Sequence, residues 1–490
     1  MISLGCPKNL VDSEIILGNM GSSGFQIIAE PEEADIVVIN TCSFIDNAKE
    51  ESVNTILEAC ELKSTSNGPQ KVVVTGCLAQ RYGEDLRKEV PEVDAIIGLG
   101  QYDHIGDVLN ELVGRDPETA AHFQVADPNF ACNAETGRLR LTPTHYAYVR
   151  ISEGCDNPCT FCAIPNIRGQ FRSKPIAMIE EEVRELVDCG AREIVIISQD
   201  TTSYGVDIDG RYQLPQLLEH IAAIPGVEWI RLLYVYPACF SDEMIDAVAS
   251  IPQVVKYVDI PLQHITDNML RRMGRRLNEA KTRNLLEKMR QKIPDLYLRT
   301  TFIVGFPGEK ETDHAGLRDF ISEFRFERLG VFLYSHEEDT PAYRMKSDVP
   351  SEVAEERLDD LMRLQQEIAF KHNHDRIGSR TTVLVDSFND TEWLGRSFGE
   401  APEIDGLVVI PDQRGEIARS GDDPSGTSEN REGFIEVPTL ATAPKLRELA
   451  AYQQIRVGTF VPVEITATKG YDLVARPLGH DGPRLSSTTR

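Results

Sequence analysis

Three cysteines lie within eight residues, and their spacing indicates a metal or iron–sulfur site. They are Cys155, Cys159 and Cys162, in the pattern C-x3-C-x2-C. Because Gly154 and Pro158 interrupt regular structure here, we expect a loop folded around a bound group. Iron–sulfur clusters are normally held by four thiolates, so three thiolates would leave one iron with an open coordination position. A structural zinc site with a remote fourth ligand is the alternative.

A second group of three cysteines shares a position relative to predicted strands. Cys6, Cys42 and Cys77 each end a short apolar run, at intervals of 36 and 35 residues, and helical patterns lie between them. This alternation predicts a βαβαβ unit with a parallel sheet. Because ligands bind at the carboxyl ends of parallel strands, we expect the three thiols to converge on a second open iron. The alternative is three unrelated buried cysteines.

The N-terminal segment and the remaining cysteines indicate where the protein works. The first twenty residues include Lys8, Asp12 and Glu14 and have no continuous apolar core, so they do not predict a secretory signal. No run of about 18 apolar residues predicts a membrane span. We therefore expect a cytoplasmic protein whose grouped cysteines bind metals or take part in catalysis. The other four are interpreted as core or surface residues: Cys60, Cys132, Cys189 and Cys239.

The three-cysteine loop resembles the hallmark of the radical S-adenosylmethionine superfamily. Phe161 stands where that superfamily usually has an aromatic residue near the adenine. The resemblance implies that Cys155, Cys159 and Cys162 hold a 4Fe-4S cluster, with S-adenosylmethionine on the open iron. One electron then cleaves the sulfonium and yields a 5′-deoxyadenosyl radical. The implied partner in this step is an electron donor such as flavodoxin or ferredoxin.

Two three-cysteine sites in this order resemble the methylthiotransferase family, whose N-terminal domain carries a second 4Fe-4S cluster that supplies or relays sulfur. That resemblance assigns Cys6, Cys42 and Cys77 to the second cluster. The opening segment 3–14, SLGCPKNLVDSE, resembles the RimO branch, which modifies an aspartate of ribosomal protein twelve of the small subunit. The tRNA-modifying branch more often has Gly-Cys-Gln-Met-Asn there. Several residues usually precede this motif in the family, so the sequence leaves open whether the natural chain begins upstream of Met1.

Strands and helices alternate from about residue 143 to 373, which predicts a full or partial (β/α) barrel. The predicted strands are 147–151, 193–198, 229–234, 255–260, 298–304 and 328–333. Polar residues gather just after these strands, at the end where barrel enzymes build their sites. They include Gln199, Asp200, Tyr236, Gln263, His264, Glu309, Ser335 and Glu337. The recurrence at strand ends, rather than any one side chain, indicates the site.

Four stretches of this region resemble the methylthiotransferase family closely: 198–205, 259–264, 299–309 and 334–341. The resemblance places them around S-adenosylmethionine, with Gln199 among the contacts. It implies that Gln263 bonds the ribose and that Arg299 pairs with the carboxylate, a shape that suits a guanidinium fork. Gly305 and Gly308 would permit close backbone approach to the cofactor.

The end of the chain predicts a small β-barrel after a charged amphipathic helix at 351–373. The short strands expected there are 381–387, 394–397, 407–410, 434–437, 461–468 and 473–476. In position and length this region resembles the TRAM domain of the family, an OB-like barrel. Residues 412–450 are rich in Gly, Pro, Ser and acidic side chains, so we expect a mobile insertion there.

The patterns together predict an α/β protein of three domains. The first, at 1–125, is a parallel α/β domain corresponding to the N-terminal domain of methylthiotransferases. The second, at 141–374, is the radical S-adenosylmethionine core, a partial TIM-like barrel. The third, at 376–478, is the TRAM domain with its insertion near 412–450.

The net charge of −27 argues against a general attraction to nucleic acid. Residues 381–490 carry 17 acidic and 11 basic side chains, whereas an RNA-binding barrel should present a basic surface. We therefore expect a basic ribosomal protein as the substrate, with nucleic acid not the primary partner and no contact with a membrane. A generic solvated acidic surface is the alternative interpretation of this charge.

The hypothesis that follows is insertion of a methylthio group at the β-carbon of an aspartate. Such a carbon has no acidic proton or leaving group, so acid–base or nucleophilic catalysis cannot reach it, and no catalytic residue is assigned. Two related enzymes stay open, a tRNA adenosine methylthiotransferase and a radical methyltransferase with a single cluster. A non-enzymatic ribosome-assembly factor that uses zinc structurally is the third alternative.

Overall fold

The computed structural model describes residues 1–65, 68–113, 121–346, 348–414, 428–429, 435–436 and 451–478. The chain divides into two compact units. The first comprises Met1–Phe324 and Leu329–Met362, and the second comprises Arg325–Arg328 and Arg363–Arg490. Among the described helices, none combines the length and hydropathy that a membrane span requires.

The first unit begins with a five-stranded parallel sheet in the order β1-β2-β3-β4-β5. Its elements are β1 (Ile2–Ser3), α1 (Pro7–Ser22), β2 (Ile36–Thr41), α2 (Asp46–Lys63), β3 (Lys71–Gly76), α3 (Cys77–Glu89), β4 (Ala95–Ile97), α4 (Ile105–Val113) and β5 (His122–Gln124). Helices cover both faces, so successive side chains of one strand enter different cores. Val38 packs in one core and Val37 and Ile39 in the other. This burial on both faces explains the continuous Val/Ile runs, and the predicted parallel βαβαβ unit is confirmed.

A second, six-stranded sheet follows in the same unit. Its elements are β6 (Tyr146–Arg150), β7 (Ser152–Glu153), α5 (Ile164–Arg168), β8 (Arg172–Ser173), α6 (Ile176–Asp188), β9 (Glu193–Ile197), α7 (Val206–Asp209), α8 (Leu214–Ala222), β10 (Trp229–Leu232), α9 (Asp242–Ser250), β11 (Val254–Asp259), α10 (Asp267–Arg272), α11 (Glu279–Lys292), β12 (Tyr297–Val304), α12 (Glu311–Phe324) and β13 (Arg328–Leu333). The strand order is β6-β9-β10-β11-β12-β13, and the pairs from β6 to β12 are parallel. The sheet is open, so the barrel is partial, as predicted.

Helix α13 (Ser351–Asp375) leads into a closed five-stranded barrel in the second unit. The barrel strands are β14 (Arg380–Phe388), β15 (Glu392–Arg396), β16 (Val408–Pro411), β19 (Phe460–Lys469) and β20 (Asp472–Pro477). A parallel pair, β16 with β20, closes a ring whose other pairs are antiparallel. The small C-terminal barrel is therefore confirmed.

One predicted barrel strand lies elsewhere. In the segment expected at 434–437, β18 (Ile435–Glu436) pairs with β17 (Ser428–Glu429) in a separate two-stranded sheet. The physical reason is closure, because the β16–β20 pair leaves the barrel without an open edge for a further strand. Most of the predicted 412–450 insertion, and the chain after 478, lie outside the described residues.

Candidate active site

The N-terminal cysteines lie at the carboxyl edge of the five-stranded sheet. Cys6 immediately precedes α1, Cys42 follows β2, and Cys77 begins α3. Gly5 has a φ of +93°, and a Cβ built on it would lie 2.9 Å from Cys42 Cβ. Glycine is therefore required where the turn before Cys6 passes Cys42. The sheet brings the three thiols to one edge, and we call them the N-terminal trio.

The thiols of the N-terminal trio influence one another. Burial raises the pKa of the Cys77 thiol to about 12, and negative charge on Cys42 and Cys6 favours the protonated form further. Burial also raises the pKa of Cys42, where a charged Cys6 acts in the same direction. The raised pKa values mean that the Cys42 and Cys77 thiols need a bound cation or cluster to become thiolates at neutral pH, and the thiolate is the metal-binding form.

The second group, Cys155, Cys159 and Cys162, occupies a loop after β7, and we call it the loop trio. Gly154 has a φ of +71°, and a Cβ there would collide with the backbone oxygen of Gln170. The loop is anchored at Thr160, whose N–H donates to the Met273 carbonyl at 3.0 Å and whose carbonyl accepts from the Ala342 N–H at 2.8 Å. Segments distant in sequence therefore hold the loop in place.

Polar side chains donate to the sulfurs of the loop trio. Arg275 Nη1 donates to Cys159 Sγ at 3.3 Å, and Asn157 Nδ2 donates to Cys155 Sγ at 3.4 Å. Asn157 also donates to Asp200 Oδ2 at 2.7 Å, which orients its amide. Burial raises the pKa of Cys155 to about 11 and that of Cys162 to about 12. Such donors stabilise the negative charge that sulfur carries when it binds a metal.

Both trios have the donor set of a 4Fe-4S cluster. All ten cysteines are free thiols, and each trio offers three sulfurs at least partly withdrawn from solvent. Within the described ranges, no three His, Cys, Asp or Glu side chains converge as they would around a single metal ion. Cluster cysteines are spaced more widely, since a cubane takes its thiolates on separate irons. The six ligand assignments themselves stay predictions.

Of the predicted cofactor contacts, Phe161 lies within the loop of the loop trio, and Gln199 precedes Asp200, which accepts a hydrogen bond from Asn157 of that loop. The Phe161 ring packs against a buried cluster that contains Met273 and Phe306. Gln199 lies two residues after the end of β9. Its Oε1 is buried and has no hydrogen-bond partner among the described residues. A buried acceptor without a donor costs free energy, so Gln199 fits a site that a polar ligand completes.

The other two predicted contacts, Gln263 and Arg299, are held by the neighbouring strands β11 and β12. Gln263 has a φ of +72°, its N–H donates to the Thr301 carbonyl at 2.8 Å, and its carbonyl accepts from Ile303 at 2.8 Å. A left-handed glutamine is strained, and such strain concentrates at binding sites. Arg299 Nη1 lies 2.7 Å from Asp259 Oδ1, so one side of its guanidinium already has a carboxylate partner. The proposed pairing of Arg299 with a cofactor carboxylate stays a prediction.

Polar residues after β13 contact helices α2 and α3, which flank the five-stranded sheet. Glu337 is buried, and its Oε2 accepts from Lys49 Nζ at 3.0 Å and from Arg81 Nη1 at 2.8 Å. The Ser335 hydroxyl accepts from the Asp46 N–H at 3.2 Å. These contacts join α2 and α3 to the end of the partial barrel where the strand-end residues gather.

Arg168 reaches a sulfur of the N-terminal trio from the helix that follows the loop trio. It ends α5, six residues after Cys162, and is almost fully buried. Its Nη2 donates to Asp12 Oδ2 at 2.6 Å and lies 3.7 Å from Cys77 Sγ, while its Nη1 donates to Glu153 Oε1 at 2.9 Å. One guanidinium therefore joins the helix after the loop trio to α1 and to a sulfur of the N-terminal trio.

Lys8 lies on a tyrosine ring of the partial barrel. Its Nζ is 2.8 Å from the centroid of the Tyr234 ring, and the residue is 6% exposed. Burial lowers the pKa of Lys8 to about 8, against the effect of negative charge on Cys6. Tyr234 follows β10 in a left-handed conformation with φ of +62°, and its N–H donates to Asp259 Oδ2 at 3.0 Å. The tyrosine is thus fixed by the barrel beneath the lysine.

Sequence reasoning missed Lys8, Arg168, Asn157 and Arg275 as site residues. Three of them had a usable indication in the sequence. Lys8 lies two residues from Cys6, Asn157 lies inside the three-cysteine loop, and Arg168 follows that loop closely. Arg275 had none, because its contact with Cys159 spans 116 residues of sequence.

Comparison with known families agrees with the fold and the cysteine loops. The model of the Radical SAM superfamily matches residues 149–321, and that of the TRAM domain matches residues 377–422. Residues 1–98 match the Uncharacterized protein family UPF0004. The partial barrel, the three-cysteine loop and these matches define a radical S-adenosylmethionine enzyme, so a non-enzymatic zinc protein is the wrong interpretation. The solved structure of the radical S-adenosylmethionine methyltransferase TsrM from Kitasatospora setae is 15% identical, with a TM-score of 0.39, and covers 70% of this chain and 74% of its own.

Curated relatives identify the family to which this radical S-adenosylmethionine enzyme belongs. The "Ribosomal protein uS12 methylthiotransferase RimO" of Lachnoclostridium phytofermentans is 46% identical over 411 residues, which are 84% of this chain and 92% of that protein. The protein of the same name from Geobacter sulfurreducens is 46% identical over 413 residues, 84% of this chain and 92% of its own length. The chain belongs to the RimO family of methylthiotransferases. Its cofactors are accordingly S-adenosylmethionine and 4Fe-4S clusters.

Proposed function

We propose that this protein attaches a methylthio group to the β-carbon of an aspartate in ribosomal protein uS12. The observation that carries the proposal is the presence of two separate cysteine trios in one compact unit, with Arg168, from the helix after the loop trio, beside Cys77 of the N-terminal trio. A radical methyltransferase with one cluster has no use for the second trio. The names of the curated relatives support uS12 over tRNA as the substrate.

The reaction needs a radical because the β-carbon offers no acidic proton or leaving group. When bound, S-adenosylmethionine and the two clusters supply the hydrogen-abstracting radical, the sulfur and the methyl group, with electrons from a donor such as flavodoxin or ferredoxin. The chain's own residues position these groups and exclude water. Arg275 and Asn157 donate to sulfurs of the loop trio, and Arg168 lies beside a sulfur of the N-terminal trio.

We propose a division of this work among three domains, 1–125, 141–374 and 376–478. The first holds the sulfur-donating cluster on Cys6, Cys42 and Cys77. The second holds the radical-generating cluster on Cys155, Cys159 and Cys162, with Phe161, Gln199, Gln263 and Arg299 around S-adenosylmethionine. The third is acidic and suits a basic ribosomal protein rather than nucleic acid as the primary partner. Because the proposed substrate is a ribosomal protein, we place the reaction in the cytoplasm.

The test is anaerobic incubation of the reconstituted enzyme with S-adenosylmethionine, reductant, sulfide and recombinant uS12. Mass spectrometry should find one methylthio addition, on an aspartate. Cys155→Ala should abolish 5′-deoxyadenosine formation, whereas Cys42→Ala should retain it and block methylthio transfer. Modification of tRNA with uS12 left unchanged would refute the proposal. Full methylthio transfer by Cys42→Ala would refute the division between the two trios.

A further inference from the structure

Lys8 is exceptional among the buried cations of this protein. In the described part of the chain, the other buried lysine and arginine side chains all have a carboxylate within 4 Å, as Lys71 has Asp94 and Lys174 has Glu182. Lys8 Nζ makes neither a hydrogen bond nor an ion pair with any described residue, and it lies over the Tyr234 ring. A buried ammonium without a counter-charge is costly, even over an aromatic face. Within the described residues, no carboxylate therefore neutralises Lys8, and the nearby negative charge that favours its ammonium form most is a Cys6 thiolate.

The carboxylates nearest to Lys8 are already engaged elsewhere. Asp259 pairs with Arg299 at 2.7 Å, and Glu153 pairs with Arg168 at 2.9 Å. Neither lies within 4 Å of Lys8 Nζ, although both influence its charge. A carboxylate partner for Lys8 therefore has to come from outside the described residues, because the remaining nearby anion, the Cys6 thiolate, belongs to the N-terminal trio.

The position of Lys8 limits what that anion can be. Lys8 lies two residues after Cys6 of the N-terminal trio, and its ammonium rests on Tyr234, which follows β10 of the partial barrel. Both trios belong to this same unit. A substrate carbon that receives sulfur from one trio and loses hydrogen to a radical made at the other must lie between them.

We propose that Lys8 binds the side-chain carboxylate of the substrate aspartate and so selects aspartate over neutral side chains. This inference rests on the proposed function and deepens it. The β-carbon is bonded directly to that carboxylate, so a cation that holds the carboxylate fixes the reacting carbon one bond away. The Tyr234 ring lies against the ammonium, and the left-handed backbone of Tyr234 is held by Asp259 and by Thr201, whose N–H donates to the Tyr234 carbonyl at 3.1 Å.

The experiment measures binding of uS12 to the anaerobically reconstituted holoenzyme by fluorescence anisotropy. It uses wild-type uS12 and a uS12 variant whose modified aspartate, identified by mass spectrometry, is replaced by asparagine. The wild-type enzyme should bind the aspartate form about 10- to 100-fold more tightly, the range for a hydrogen bond to a charged group. Lys8→Met should remove this preference and Lys8→Arg should retain most of it. The control Lys63→Met, at a half-buried lysine paired with Asp94, should leave the preference unchanged.

Two results would overturn the inference. One is equal affinity of the wild-type enzyme for the two uS12 forms. This measurement uses no enzyme variant, so it does not depend on whether Lys8→Met folds. The other is a Lys8→Met enzyme that keeps the preference while the reduction potential of a cluster shifts, because Lys8 would then balance cluster charge alone. Failure of the proposed function would look different, since the wild-type enzyme would leave every uS12 aspartate unmodified.

Discussion

Arg168→Met is expected to weaken the first unit strongly, because the guanidinium is buried between the carboxylates of Asp12 in α1 and Glu153 in β7. Loss of one partner of a buried ion pair costs about 3–5 kcal/mol. Arg150 also contacts Asp12 and Glu153 and stays in place, so it continues to neutralise both carboxylates. We therefore expect the lower end of that range, about 3 kcal/mol of unfolding free energy.

The assay is urea unfolding of the reduced apoprotein, followed by tryptophan fluorescence. The chain has two tryptophans, Trp229 in the first unit and Trp393 in the second. In a Trp393→Phe background, Trp229 therefore reports on the first unit. The matched control is Arg184→Met, whose pair with Glu180 is exposed and contributes about 0.5 kcal/mol or less.

A double-mutant cycle with Asp12→Asn then isolates the pair. Because Arg168 and Asp12 are in direct contact at 2.6 Å, we expect a coupling free energy of about 0.5–3 kcal/mol. An Arg168→Met protein as stable as Arg184→Met, with no coupling to Asp12, would refute the view that this network stabilises the packing of α1 against α5 and β7.

Two further predictions concern the pH dependence of the C-terminal barrel and the loop trio. Burial alone would raise the pKa of Glu400, but the guanidinium groups of Arg376 and Arg328 outweigh it and lower the pKa to about 2, from 4.5. The resulting ~3 kcal/mol of unfolding free energy is present above about pH 4.5 and is lost as the pH falls toward 2. Trp393 fluorescence in a Trp229→Phe background should show this loss of stability, and the Glu400→Gln variant should not show it. Gly274 has a φ of +69° and no room for a Cβ beside the Pro158 carbonyl. Gly274→Ala should therefore lower the iron content of the loop trio's site, measured in a Cys42→Ala background. The control Gly210→Ala, also at positive φ but in open space, should leave that iron content unchanged.

The strands and the cysteine positions could be predicted because their causes are local. Runs such as Val72–Val74 must be buried on both faces, and Cys6, Cys42 and Cys77 end equivalent strands. Parallel topology then places those ends at one edge. Such an argument needs no knowledge of which side chains meet across the fold.

The electrostatic part of the site could not be predicted, because it depends on contacts between distant segments. The Arg168–Asp12 pair spans 156 residues, and the Arg275–Cys159 contact spans 116. Lys8 stands in a motif that the sequence does single out, yet a sequence pattern does not show that its ammonium is buried without a carboxylate. The separate β17–β18 sheet was mispredicted for a similar reason, since barrel closure depends on the pairing of β16 with β20.

The central claim is that six cysteines hold two separate clusters, and iron counting tests it most directly. After anaerobic reconstitution and removal of unbound metal, we expect about eight irons and eight sulfides per wild-type chain, since each 4Fe-4S cluster contributes four of each. Cys42→Ala and Cys155→Ala should each retain about four irons. A wild-type chain with about four irons, unchanged by Cys42→Ala, would contradict the account.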